Sequence, residues 1–125
     1  MIIVDQIRAV LLVSGAFTML PILVLFLPTR GPRLLFGIDA PGGSGGLFTR
    51  HWSMLAGSLG ALLIYAAWHP ELRAPLMLAS GIEKAGLIGL ILADWKKPHT
   101  AGMRPILIID VIIVVVFAIY LFHVL

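Results

Sequence analysis

Four stretches of this chain are apolar over a length that matters, and proline, glycine and charge collect between them. Ile7 to Leu27, His51 to Trp68, Ala74 to Ala93 and Pro105 to Leu125 are built mainly of Leu, Ile, Val, Ala, Phe and Gly. A helix rises 1.5 Å per residue and a bilayer's hydrocarbon is ~30 Å thick, so about 20 such residues cross once. The pattern predicts an all-α polytopic membrane protein: an antiparallel bundle of four transmembrane helices, about 7–27, 51–68, 74–93 and 105–125, in one membrane domain over residues 1–125. The first stretch is long, only Arg8 stands near its start as a positive charge, and no small-residue cleavage site follows. It therefore reads as a mature helix rather than a signal peptide, with Pro21 expected to kink it.

The segments between these helices set the topology. Residues 28–49 form a Gly/Pro-rich loop, with Leu34-Leu35-Phe36 apolar enough to lie in the interface or re-enter the bilayer. Gly42-Gly43-Ser44-Gly45-Gly46 reads as too flexible for a spanning helix. No Gly-Lys-Ser/Thr follows and no strand precedes, so it is not a phosphate loop. The linkers 69–73 and 94–104 are short, which makes sequential helices antiparallel neighbours. Trp52, Trp68 and Trp95 fall near predicted helix ends, where aromatic belts sit. Arg30, Arg33, Arg50, Lys96, Lys97 and Arg104 lie on one side of the bundle, against Arg8 and Arg73 on the other. The positive-inside rule then puts both termini on the non-cytoplasmic side.

Composition agrees: 60% of residues are hydrophobic and 12% charged, with a mean hydropathy of +1.06, far from the soluble norm of roughly a quarter charged. The formal charge of +3 sits in loops beside apolar segments. It therefore reads as topology and anionic-lipid contact rather than nucleic-acid binding. Cysteine is absent, which excludes disulfides, thiolate metal sites and cysteine nucleophiles.

Small residues recur every fourth position as Ser53, Gly57 and Ala61 on helix two, and as Gly81, Ala85 and Gly89 on helix three. Such spacing lets backbones approach, so these two helices are expected to form the tight hairpin. The competing use of the stripe is a homodimer seam. Helix four, rich in Ile and Val, is expected to face lipid, a protein partner or another copy of the chain.

Glu83 and Lys84 stand near the middle of helix three, where an ionised side chain costs about 2.5–3.5 kcal/mol and is a functional candidate by default. Adjacent helical positions diverge by ~100°, so each needs its own partner. Asp110, about six residues into helix four, is the expected partner of Lys84. Glu83 has no obvious cation at its depth, and Ser14 and Thr18 of helix one are the hydroxyls at that level. Arg50 and His51 open the predicted helix two beside the glycine-rich loop, where arginine would hold a carboxylate or phosphate at a pocket mouth or anchor topology. His51, His69, His99 and His123 show no metal-ligand spacing. His51 and His69 are about 27 Å apart along a helix, and haem and metal are not expected. Ser14, Ser44, Ser53 and Ser80 lack a triad pattern, and no catalytic residue is assigned.

Arg50-His51-Trp52-Ser53-Met54-Leu55-Ala56-Gly57, Leu62 to Ala67, His69-Pro70-Glu71-Leu72-Arg73 and Gly81 to Leu87 resemble the small bacterial DoxX-like four-helix membrane proteins. The likeness lies in an arginine opening helix two, a glycine-rich second helix, a Pro-x-Leu-Arg turn and a basic residue in helix three; residues 42–46 have no counterpart. The resemblance implies a bacterial inner-membrane bundle with Arg50 and Lys84 as charged positions lining it. The family's namesake is associated with a quinone-reducing thiosulfate oxidoreductase. Two functions are therefore expected in order: a non-catalytic accessory or scaffold subunit of a larger membrane complex; or a protein binding a lipid, quinone or other amphiphile near Lys84, Glu83 and Arg50.

Overall fold

The computed structural model describes residues 1–125 and contains helices and turns but no strand. Three stretches are long and apolar enough to cross a membrane: Ile7–Phe26, Pro70–Ala93 and Pro98–Val124, with mean hydropathies of 2.4, 1.7 and 2.9. These mark the chain as an integral membrane protein, and the large apolar side chains it exposes, such as Ile82, Leu90 and Phe122, suit a hydrocarbon solvent. After a short α1 (Ile2–Asp5), the first span is α2 (Ile7–Met19) and α3 (Leu23–Phe26), joined by a 3-10 turn at Leu20–Ile22. The break falls at Pro21, as the missing proline N–H requires.

Two expectations for the next segment are corrected. The loop expected at 28–49 contains a helix, α4 (Arg30–Phe36), which ends where Gly37 turns left-handed at φ 64°. The glycine run expected to stay outside a helix forms the first turn of α5 (Gly43–Ala66), eight residues before the predicted start at 51. Glycine costs a helix only about 1 kcal/mol against alanine, and here its missing side chain is used. Gly43 enters the turn at φ 58°, and a Cβ on Gly46 would stand 2.6 Å from the Pro41 carbonyl oxygen. α5 is as long as α6 (Pro70–Ala93). Its first turns carry glycine, Arg50 and His51, so it falls short of the hydropathy of the three candidate spans and is not one of them. α6 begins four residues earlier than predicted, with Pro70 in its first turn, where the missing N–H is harmless. A 3-10 segment (Pro98–Met103) leads into α7 (Arg104–Val124).

Packing departs from the expected hairpin. The closest approach is between α2 and α5, where Gly15 faces Gly60: a Cβ on Gly60 would meet the Gly15 carbonyl and the Met19 amide, both at 2.6 Å. Gly57 is packed under Ile22 and Ser53 is buried, but Ala61 is exposed. On α6 the predicted stripe does not pack: Ala85 and Gly89 are exposed, and a Cβ on Gly81 or Gly89 would touch nothing. Of the two predicted stripes only Ser53 and Gly57 pack, and the seam is made by Gly60 against Gly15, which stands alone on helix one and gave no stripe.

Leu11, Leu63, Ala66, Ala67, Met77 and Phe117 fill the core toward the α5 C-terminus. There Arg73 donates to the Ala66 and Ala67 carbonyls at 3.0 and 2.7 Å, and Arg8 donates to Ala67 at 3.3 Å. Arginines from two helices thus cap the end of α5: both reach the Ala67 carbonyl, and Arg73 adds a second donor to the Ala66 carbonyl, which also accepts from the His69 amide. The α6–α7 connection is tied by polar groups: Thr100 Oγ1 donates to the carbonyls of Asp94 and Lys97, and Arg104 lies over the Trp95 ring at 4.1 Å. The His99 ring and the Lys97 ammonium, 3.0 and 3.4 Å from Asp94, hold its carboxyl below the usual carboxylate range.

Candidate functional site

The polar residues carried into the apolar interior converge on one cavity of about 150 Å3. Its floor is the 3-10 break, with Thr18, Leu20 and Pro21. α4 leans over it with Leu34, Leu35 and Phe36, α5 contributes Trp52 and Ala56, α6 brings Glu83, Lys84 and Leu87, and α7 brings Ile106, Ile109 and Asp110. Two local features hold α4 in place. Gly31 packs against the α3 backbone at Leu23 and Val24, and the Gly102 backbone presses on the Phe36 carbonyl, leaving no space for a side chain. Phe36 then meets Trp52 at 5.7 Å between ring centroids, tilted by 47°.

Lys84 Nζ lies 3.1 Å from Asp110 Oδ1, and the two residues are only 4% and 6% exposed. The expected ion pair between α6 and α7 is present. An ammonium has three N–H donors and Lys84 gives one to Asp110, which leaves donors for a further acceptor. Glu83 is half-buried and lines the same cavity, as does Trp52. The hydroxyls expected near Glu83 are turned inward to their own helix: Thr18 Oγ1 donates to the Ser14 carbonyl at 2.7 Å and Ser14 to Leu11. Ser80, one turn before Lys84, is fully buried with no hydrogen-bond partner and does not line the cavity.

Of the predicted site residues, Glu83, Lys84 and Asp110 are brought together, whereas Arg50 and His51 are exposed and outside the cavity lining. The earlier start of α5 explains the latter: they lie two turns inside the helix, not at its mouth. Trp52 was read from sequence as a belt residue and is instead a cavity wall. Moving the helix start to Gly43 puts it well inside α5, and the Trp52/Ala56 spacing would have shown both on one face. No three His, Asp or Glu side chains gather in a metal-holding arrangement. No protein-family model matches this sequence, and no curated protein or solved structure is significantly similar to it.

Proposed function

We propose that this chain binds the polar end of a lipid-soluble ligand in the cavity at Lys84, Asp110 and Glu83. The proposal takes it to be a four-helix antiparallel bundle of a bacterial inner membrane, of DoxX-like type, with both termini on the non-cytoplasmic side. One observation carries the binding reading: Lys84 and Glu83 border open space. A charged pair that served only to fix helix register would be expected to be closed in by packing. Charges at this depth are costly enough to mark a working site, and the cavity is mostly apolar with a few convergent polar groups, as ligand sites are.

The second reading, a non-catalytic accessory subunit, is favoured by the closure of Lys84 on Asp110, which by itself suffices to join α6 to α7. Native mass spectrometry of gently extracted protein separates the two. Wild type is compared with Lys84→Met/Asp110→Leu, a double variant that removes both members of the ion pair together. A small-molecule adduct in wild type that is lost in the variant is the expected result. A stoichiometric protein partner with no adduct in either form would replace the binding reading with the accessory one.

A further inference from the structure

Beside the polar cavity lies a second space, and the two share walls. Between α2 and α7 runs a cleft of about 440 Å3 whose ten lining residues are apolar except Ser14. α2 and α7 do not pack closely along their length; α7 is met instead by α1 at one end and by α6. Phe17 and Ile109 line both the cleft and the cavity, so these two side chains are common walls of the apolar cleft and of the space beside the Lys84–Asp110 pair.

Resting on the binding proposal above, we infer that the ligand is a single-chain amphiphile with an uncharged, ring-sized, hydrogen-bonding head, its tail lying in the α2–α7 cleft. The head's size follows from the volume: a cavity of about 150 Å3 is of the order that accepts one benzene ring, and here Phe17, Phe36 and Trp52 supply aromatic walls. Its neutrality follows from the charges. Asp110 already balances Lys84, and Glu83 adds a further acid rather than a base. A phosphate head would therefore enter a low-dielectric space with no unmatched cation, at a large desolvation cost. A carbonyl or hydroxyl head can instead accept from the uncommitted Lys84 donors. The cleft supplies the route: it borders the side of the bundle between α2 and α7, where a chain already dissolved in the bilayer can move in sideways.

The test uses the full chain in nanodiscs, with Trp52 left as the sole tryptophan by Trp68→Phe and Trp95→Phe, and reads its emission as probes are titrated. The probes are para-dodecylphenol, para-cresol, dodecylbenzene and dodecyl phosphate, with affinities expressed per mole fraction in the bilayer. Para-dodecylphenol is expected to bind about ten-fold more tightly than para-cresol, the gain coming from tail packing in the cleft. Val116→Phe, and independently Val13→Phe on the opposite wall, both in the sole-tryptophan background, should remove that gain and leave para-cresol binding unchanged. Equal binding of the two phenols, or a gain that survives both cleft substitutions, overturns the tail assignment while leaving the binding proposal standing. Dodecylbenzene binding as well as para-dodecylphenol means that bilayer chains fill the cleft unspecifically, and it overturns the inference, as does tighter binding of dodecyl phosphate. If no probe alters Trp52 emission in the sole-tryptophan protein with an unaltered cleft, the binding proposal falls with it.

Discussion

The α2–α5 seam and the α6–α7 seam join helices of similar apolarity in opposite ways. The first is made of backbone: Gly15 and Gly60 bring two helices so close that no Cβ fits between them. The second is made of charge. Lys84 and Asp110 bridge α6 and α7, while the glycines of α6 meet nothing. In hydrocarbon, burying apolar side chains gives helices no reason to associate, so both close van der Waals contact and polar links are available solutions. Where the polar link is used, the helices need not close tightly, and space remains beside it. The cavity borders the charged pair directly; the first span and α5 supply its far wall through Phe17, Thr18, Trp52 and Ala56, but neither Gly15 nor Gly60 lines it.

The strongest way to break this contrast is to remove half of the charged link. Lys84→Met leaves Asp110 without its partner, and breaking a buried pair costs about 3–5 kcal/mol. We expect the loss in denaturant titration of detergent-solubilised protein, and we expect Lys84→Met/Asp110→Leu to recover most of it. A double variant as unstable as the single one would mean that the pair, not merely its balance, holds α6 to α7. Under the binding proposal, any small-molecule adduct of wild type should be lost in both.

The glycine seam should fail by crowding. Gly60→Val places atoms against the Gly15 carbonyl and the Met19 backbone, neither of which can rotate away, and overpacking of this kind costs about 1–3 kcal/mol. Gly81→Ala is the matched control. Its Cβ meets open space, and alanine improves the helix by up to about 1 kcal/mol, so unfolding should be unchanged or slightly later. If Gly81→Ala proved as harmful as Gly60→Val, α6 would have to be buried against another chain through the stripe that the structure leaves exposed.

These two seams also show what the sequence made legible. The all-helical character and three apolar spans followed from apolar length, and the Lys84–Asp110 pair followed from depth and adjacency, because charges in hydrocarbon have few permitted partners. Neither argument extends to glycine. A single Gly15 has no periodicity, and its role depends on which helix lies opposite, a tertiary fact. The glycines at 43–46 misled for a related reason. Read as flexibility they end a helix, yet Gly43 at positive φ and Gly46 against Pro41 are what allow α5 to begin there. That early start moved Arg50 and His51 off the expected mouth and carried Trp52 onto the cavity wall. Arg8 and Arg73 were legible only as topology charges; their hold on the α5 carbonyls needed coordinates.

The mildest probe of the contrast is pH, because the charged seam extends to the α6–α7 turn and the glycine seam has nothing there to titrate. Asp94 accepts from the His99 ring and lies beside Lys97, and both lower its pKa in the folded chain. A carboxyl depressed by folding contributes stability that is complete above its ordinary value of about 3.9 and is lost as pH falls through the lower, folded value. Between neutrality and pH ~5 the turn should therefore hold, and loosening should begin only below pH ~4. Asp94 is solvent-exposed and screened, so the effect should be local and small. Hydrogen exchange of the 94–104 amides, followed from pH 6 toward 3, should show it while the amides facing the Gly15–Gly60 contact keep their protection. Asp94→Asn should exchange fast in this turn across the whole range, with no further pH-dependent loosening. Equal loosening of both regions in wild type would mean that the two seams do not unfold separately and that the division between backbone and charge has no energetic counterpart.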